Sequence, residues 1–402
     1  MASFNEFLSP YQTSKVLEGV IEALPKIRPN FLQTALATGF TTTTRDTVNF
    51  DKEFAVKNTT AIFVDPNSDV SPITLGDFGT SELYFAYSKE GWQEDTYETI
   101  SQRQLGQAFG NVNVLANAAA NLQAKALIAE QRFENLFEKT WAEVALYGGY
   151  EAYSEKHPRV RYNFGRTVVS TYADLILDLV PSVNLTTTAV TTPWGTTALP
   201  VVATSGAYTA GQKAWTTTLV TAGTATPVLD LQKMHNTGKR HGSAPKVYIM
   251  QADAYLAFNF DINTNYKDAA VTTINSTQNI SRQIMPTNRE VDGLSFARNW
   301  TFSDGVTVSI YMYDAIYNDR TTGTEVAYIP QGWVIGIPDA VYGKKIHGRI
   351  KHPKSGYAAL PRFINRWGGP DSKNGLYEFE MHTNFIIGHT KPDALVAWKV
   401  TG

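Results

Sequence analysis

The chain has 402 residues, 43% of them hydrophobic and 12% aromatic, enough to bury a sizeable core in one large domain or two to three smaller ones. Its 35 Lys plus Arg against 37 Asp plus Glu give a formal net charge of −2, which excludes a global field drawing in nucleic acid; any phosphate contact has to be local. The absence of cysteine excludes disulfides and thiolate metal sites and fits a reducing compartment. No apolar run of about 18 residues is present to cross a bilayer. The opening MASFNEFLSPYQTSK has neither the basic nor the apolar segment of a secretory leader, so a soluble chain with no membrane partner is expected.

Along the chain, a short amphipathic run (Leu17, Ile21, Leu24) lies between Pro10 and Pro25, and a second centres on Phe31 and Leu32; together they read as an arm with two small helices. From Thr47 to Trp92 the texture becomes strand-like (VNFDKEFAV, AIFVDP, ELYFAYS), punctuated by Pro66, Pro72, Gly76 and Gly79, which reads as a long two-armed β-loop. The strongest local signal follows. Leu115, Leu122, Ala126, Ala129, Phe133, Phe137, Trp141 and Val144 recur at helical steps between Asn113, a suitable N-cap, and Gly148-Gly149, a suitable stop. The spacing predicts a rod of about 50 Å, with Trp141 buried on its inner face.

Between Val183 and Pro227 stand fifteen threonines and one charged residue, Lys213. Such a stretch reads as a β-rich surface insertion or as a flexible Thr-rich linker. Beyond it, PVLDLQKMHNTGKR is helical in pattern and KVYIMQADAYLAFNF reads as a buried strand running into a helix, an α/β unit. The last third is β in character: VTVSIYMYDAIYN, EVAYIP, GWVIGIP, YEFEMHTNFIIG and ALVAWKV, separated by turn residues.

Motifs for chemistry are missing. HExxH, GxSxG, GxGxxG, the phosphate-binding loop and EF-hand spacing do not occur, and the seven histidines never fall at two- or four-residue spacing, so no metal site, cofactor or catalytic residue is expected. Carboxylate pairs such as Glu151 and Glu155 read as solvated surface, and the five sequons as chance. One basic run stands out, GKKIHGRIKHPK. In an extended strand Lys345, His347, Arg349 and Lys351 would share a face, to meet phosphate or an acidic patch on a neighbouring subunit, or simply to be solvated.

Taken in order, five pieces resemble the lambda-type phage major capsid protein E family. They are RDTVNFDKEFAVKNTTAIFVDP with LYFAYSK, the Ala-rich helix ending in LYGG, VRYNFGR with AWTTTLVTAGTATPVLDLQKM, SIYMYDAIYNDRTTGTEVAYIPQGWVIGIP, and EFEMHTNFIIGHTKPDALVAWKV. The resemblance implies an α+β, Hong Kong 97-like capsid fold. Its expected parts are an N-terminal arm (1–44), an extended β-loop (45–96), a peripheral domain (97–165) with a spine helix over about 113–147, an axial domain (166–350) with the Thr-rich β insertion (183–227), and a return to the peripheral domain (351–402).

The implied function is the major capsid protein of a tailed double-stranded DNA bacteriophage, assembling as hexamers and pentamers of an icosahedral shell that encloses the genome. Implied partners are other copies of the chain, a portal protein, a separate scaffolding protein, a decoration protein and non-specifically packaged DNA. The scaffold is expected to be separate because the chain begins near its first structural element. Assembly in the host cytoplasm and residence in the virion are also implied. Phe54, Val56, Phe63 and Phe85 are the expected inter-subunit contacts, and Lys345, Arg349 and Lys351 the expected basic face. A β-rich phage tail or adhesion protein is the competing reading, with an unrecognised hydrolase third.

Overall fold

The computed structural model describes residues 31–53, 78–95, 114–154, 157–164, 187–192, 195–200, 215, 217–223, 225–240, 244–265, 293–320, 323–340, 342–368 and 376–400. The chain enters these with helix α1 (Phe31–Leu36) and strands β1 (Ala37–Thr42), β2 (Thr47–Glu53), β3 (Phe78–Tyr84) and β4 (Ala86–Asp95). The long helix α2 (Val114–Tyr147) leads to two hairpins, β5 (Gly149–Ser154) with β6 (His157–Asn163) and β7 (Thr187–Thr192) with β8 (Gly195–Pro200). Helices α3 (Thr217–Thr221) and α4 (Pro227–Arg240) precede β9 (Pro245–Met250), and α5 (Ala252–Asn265) follows it. The remaining strands are β10 (Leu294–Thr301), β11 (Thr307–Tyr313), β12 (Ile316–Asp319), β13 (Thr324–Ala327), β14 (Trp333–Pro338), β15 (Gly343–His347), β16 (Phe363–Gly368), β17 (Leu376–His389) and β18 (Val396–Lys399).

Helix α2 follows from its apolar spacing. Ala126, Ala129, Phe133, Phe137, Trp141 and Val144 are all buried, as the 3.6-residue period requires. Toward its C-terminus Thr140, Ala142, Ala145 and Leu146 are buried too, so the last turns are enclosed on nearly every side. The helix stops where Gly148 adopts φ 71° and its N–H returns to the Val144 carbonyl at 2.9 Å. A left-handed residue at that point costs a side-chain-bearing residue strain that glycine avoids.

Two five-stranded sheets share the rest. In the first, β1 pairs in parallel with β15, β15 pairs with β17, and the long β17 takes β16 on the β15 side and β4 along its other edge. Phe385, Ile386, Ile387 and Met381 of β17 join Phe133, Phe137 and Trp141 in one core, where each fully buried Phe contributes about 1.5–3 kcal/mol. The ribbon β2–β3 is rooted here through Phe50, which lies so close over Gly388 that a Cβ there would stand 2.1 Å from its ring. The second sheet, in the order β10-β11-β9-β14-β18, packs α4 and α5 through Leu231, Met234, Ala257, Phe258 and Ile262.

The α/β unit follows the expected pattern: α4 covers the PVLDLQKMHNTGKR segment, and β9 runs through Gln251 into α5. Part of the Thr-rich segment forms the β7–β8 hairpin, where β-branched residues suit a two-stranded pairing. The division into domains differs from the expected boundaries at two points. Strand β15, placed before residue 350 with the axial segment, belongs to the first sheet, and β18, near the chain end, crosses back into the second. Hydrogen bonding to β17 and β14 decides each case, and neither pairing is marked by local sequence. The first predicted arm helix lies outside the described residues.

Candidate functional site

Where helix α2 meets the first sheet, an apolar core contains charged groups, and each has a specific partner. Glu138 is fully buried, one position past Phe137 on the helix. Its Oε1 accepts the Leu32 N–H at 2.8 Å and the Tyr313 hydroxyl at 2.6 Å, and its Oε2 accepts the Gln33 N–H at 3.1 Å. One carboxylate thus ties the first turn of α1 to the long helix and to β11. Burial pushes the Glu138 carboxyl up to about 7, the three donors only partly offsetting the lost solvation.

One and two turns earlier stand Glu134 and Glu130. Arg362, just before β16, donates to Glu130 Oε2 at 2.8 Å and to Glu134 Oε1 at 3.1 Å, and its guanidinium lies 4.9 Å from the ring centres of Phe133 and Phe137. The Gln33 side chain donates to Glu134 Oε2 at 2.9 Å and accepts from Lys345 Nζ at 3.2 Å. The result is a clamp joining the arm, the long helix and two sheet strands. Buried charges are tolerable only when paired in this way. A smaller ion pair closes the rim: Glu90 of β4 accepts from Arg132 at 2.9 Å and from Arg320 at 3.0 Å.

Lys345, Arg349 and Lys351 do not form one basic face. Lys345 turns inward, its ammonium 4.3 Å above Phe137, and desolvation lowers its pKa. His347, at the alternate position, is buried, and burial first, with Arg362 and Lys345 adding to it, holds its pKa down to about 3. Strand β15 lies between β1 and β17 and ends at His347, where the Gly348 N–H turns to the Asn384 carbonyl at 2.9 Å. Arg349 and Lys351 are exposed on the loop beyond it. Of the expected inter-subunit contacts, Phe85 is half-buried with its ring against Gly348 of the same chain. Phe54, Val56 and Phe63 lie outside the described residues.

The clamp itself was not anticipated from the sequence, yet a signal exists. Glu130, Glu134 and Glu138 recur at four-residue spacing, a like-charge row that costs an isolated helix a few tenths of a kcal/mol per pair and so points to cations from elsewhere. Among the described residues no three His, Asp or Glu side chains are grouped to hold a metal ion, and no helix is long and apolar enough to cross a membrane. Each carboxylate of the clamp accepts from a donor on another chain segment, an arrangement suited to fixing parts of a protein together.

Residues 203–400 match the family model of the phage major capsid protein E. No curated protein matches the chain. Among solved structures, the putative capsid protein of a prophage of E. coli CFT073 aligns over 98% of this chain and 97% of its own, with a TM-score of 0.55 and 13% identity. The mature capsid protein of bacteriophage PhiM1 aligns over 94% and 89% with a TM-score of 0.41 and 11% identity. The capsid protein of cyanophage P-SCSP1u aligns over 93% and 90% with a TM-score of 0.39 and 9% identity. The fold assignment rests on the prophage protein, whose similarity spans both sheets and the long helix. Residues 203–400 are therefore similar to the phage major capsid protein E family, and the chain shares the fold of the prophage capsid protein, a Hong Kong 97-like capsid fold.

Proposed function

We propose that the chain assembles as hexamers and pentamers into a closed icosahedral shell around a double-stranded DNA genome, acting as a building block without catalysis. The observation that carries this reading is the β2–β3 ribbon. It is rooted in the first core by Phe50, yet among the described residues it pairs with no other strand, and Tyr84 at its base is 65% exposed. A two-stranded ribbon is marginal in water alone and gains stability when laid on another surface, which a shell of identical subunits supplies. Phe54, Val56 and Phe63, between its two strands in sequence, are the apolar residues proposed to meet the neighbour, with Phe85 at the root.

In this reading the first sheet with α2 is the peripheral part and the second sheet with α4 and α5 the axial part around each capsomer. Portal, separate scaffolding and decoration proteins are the proposed partners beside the chain itself, with assembly in the host cytoplasm. The near-neutral net charge suits a container that holds packaged DNA without binding it tightly. Sedimentation velocity of the purified chain, alone and mixed with the scaffolding protein of the same genome, tests the proposal. Fast, homogeneous particles are expected, and a monomer in both samples contradicts it.

A further inference from the structure

The loop between β15 and β16 folds back over the outer face of the first sheet, and its contacts there run through two histidines. Asn384 of β17 holds the start of the loop, its carbonyl accepting the Gly348 N–H at 2.9 Å and its Nδ2 donating to the Arg349 carbonyl at 2.7 Å. On β17, Met381 and Phe385 face the α2 core, so the alternate residues Glu380, His382 and Asn384 face the other way, toward the loop. His352 of the loop lies against His382 with ring centres 5.5 Å apart, and both pack on Phe363 of β16 at 5.4 and 5.9 Å. The pair is nearly sealed, His352 being 8% and His382 1% exposed.

Both rings serve as hydrogen-bond acceptors, which an imidazolium cannot do. His352 Nδ1 accepts the Lys354 N–H at 3.2 Å and so caps the turn Pro353–Ser355. His382 Nδ1 stands 2.8 Å from the Tyr87 hydroxyl and its Nε2 3.2 Å from Glu380 Oε2; with the ring proton on Nε2, facing that carboxylate, Nδ1 accepts from Tyr87. Tyr87 also meets the backbone N–H of Lys351, and burial pushes its hydroxyl up to about 12, which keeps it a donor. The charged groups facing the pair are Glu380 on β17, Lys89 on β4 and Lys354 on the loop itself, one carboxylate against two cations, while β16 presents the uncharged Phe363. No acidic residue occurs in the sequence between Asp339 and Asp371 to add to Glu380. Burial is the main cause lowering the pKa of both rings, that of His382 to about 4.

We propose that His352 and His382 form an acid-operated latch, in which the two neutral rings hold the basic 348–362 loop against β17 and β4 and their protonation releases it. Protonation removes the cap of the turn and the acceptor of Tyr87, and it sets two more positive charges beside Lys89 and Lys354. In the open loop both rings regain water and return toward the ordinary value of 6.5, so the open form binds protons more tightly than the closed one. Opening is therefore favoured progressively as the pH falls from about 6.5 toward about 4. The released segment carries Arg349, Lys351 and Lys354, and its departure uncovers the outer face of β17. The latch is a property of the folded chain and stands independently of the shell reading.

Hydrogen exchange of the full-length chain tests the latch, followed by mass spectrometry on peptides covering 348–362 and corrected for the intrinsic pH dependence of exchange. Between about pH 7 and pH 5 exchange in the loop is expected to rise about ten-fold or more, since each unit of pKa difference is a factor of ten in the opening equilibrium. Peptides from α2 and α5 are expected to keep their protection over the same range. His352→Asn retains an uncharged acceptor for the cap, and His382→Gln an uncharged acceptor for Tyr87. The chain with both changes is expected to show loop exchange independent of pH, and His352→Asn alone, the milder change, a smaller rise than wild type. A wild-type loop as well protected at pH 5 as at pH 7 overturns the proposal. So does an acid response that survives undiminished in the substituted chains, or one that appears equally in the α2 and α5 peptides.

Discussion

The two sheets are held together over very different distances along the chain. In the second, the buried carboxylates act locally: Asp230 accepts from Trp215 Nε1, 15 residues away, and Asp261 from the Val228 N–H, 33 residues away. In the first, Glu138 reaches Leu32 and Tyr313 across 106 and 175 residues, Arg362 reaches Glu130 across 232, and Lys345 reaches Gln33 across 312. The second sheet carries an α/β unit whose buried carboxylates join segments close along the chain. The first is a junction where distant segments meet, and its charged clamp fixes which segments meet there. Loop closure makes such long-range pairings slow to form, so they depend on partners specific enough to secure them.

The largest expected effect lies in the apolar part of the junction. Trp141→Ala removes a fully buried ring that fills the space beside Gly343 and is expected to cost about 3–5 kcal/mol, read by chemical unfolding. An unchanged midpoint would contradict the packing of α2 on the sheet. Next comes the clamp: Arg362→Ala leaves Glu130 and Glu134 without the guanidinium that bridges them, with only Lys345 nearby, and is expected to cost about 2–4 kcal/mol, with Arg362→Lys recovering only part because the two-carboxylate fork is lost.

A third effect depends on pH. Glu138 has a folded-state pKa raised from 4.5 to about 7, so the folded protein holds that proton more tightly than the unfolded chain does. Its contribution is fully present below about pH 4.5 and is lost as pH rises through about 7. Relative to wild type, Glu138→Gln is therefore expected to gain about 3 kcal/mol between those limits, in unfolding free energies measured at half-unit pH steps. A difference that stays flat across the range would place the carboxyl in a wetter setting than the structure gives it. The smallest effect belongs to the rim: Arg320→Ala removes an exposed partner of Glu90 and is expected to change stability by less than about 0.5 kcal/mol.

This contrast also explains what could be read from the sequence. Helix α2, helix α4, strand β9 with helix α5, and the tyrosine-rich β11 to β14 run are local patterns, and periodicity with turn residues places them closely. The partners of β15 and β18 are decided by hydrogen bonding to strands far along the chain, and both fell on the other side of the expected boundary. The basic run shows the same limit at single residues. Strand alternation grouped Lys345 with Arg349 and Lys351, but Phe137 and Gln33, more than two hundred residues away, draw Lys345 inward and leave the other two on a loop. The clamp was invisible because its donors and acceptors lie on five separate segments, and only the spacing of Glu130, Glu134 and Glu138 hints at it.

The central claim is that this chain is a shell-forming subunit whose long-range junction holds an arm and a ribbon ready for neighbours. Negative-stain electron microscopy of the purified protein, expressed alone and with the scaffolding protein of the same genome, tests it most directly. Closed shells, sheets, tubes or six-fold rings are predicted in at least one preparation, and uniformly dispersed monomers in both would contradict the account.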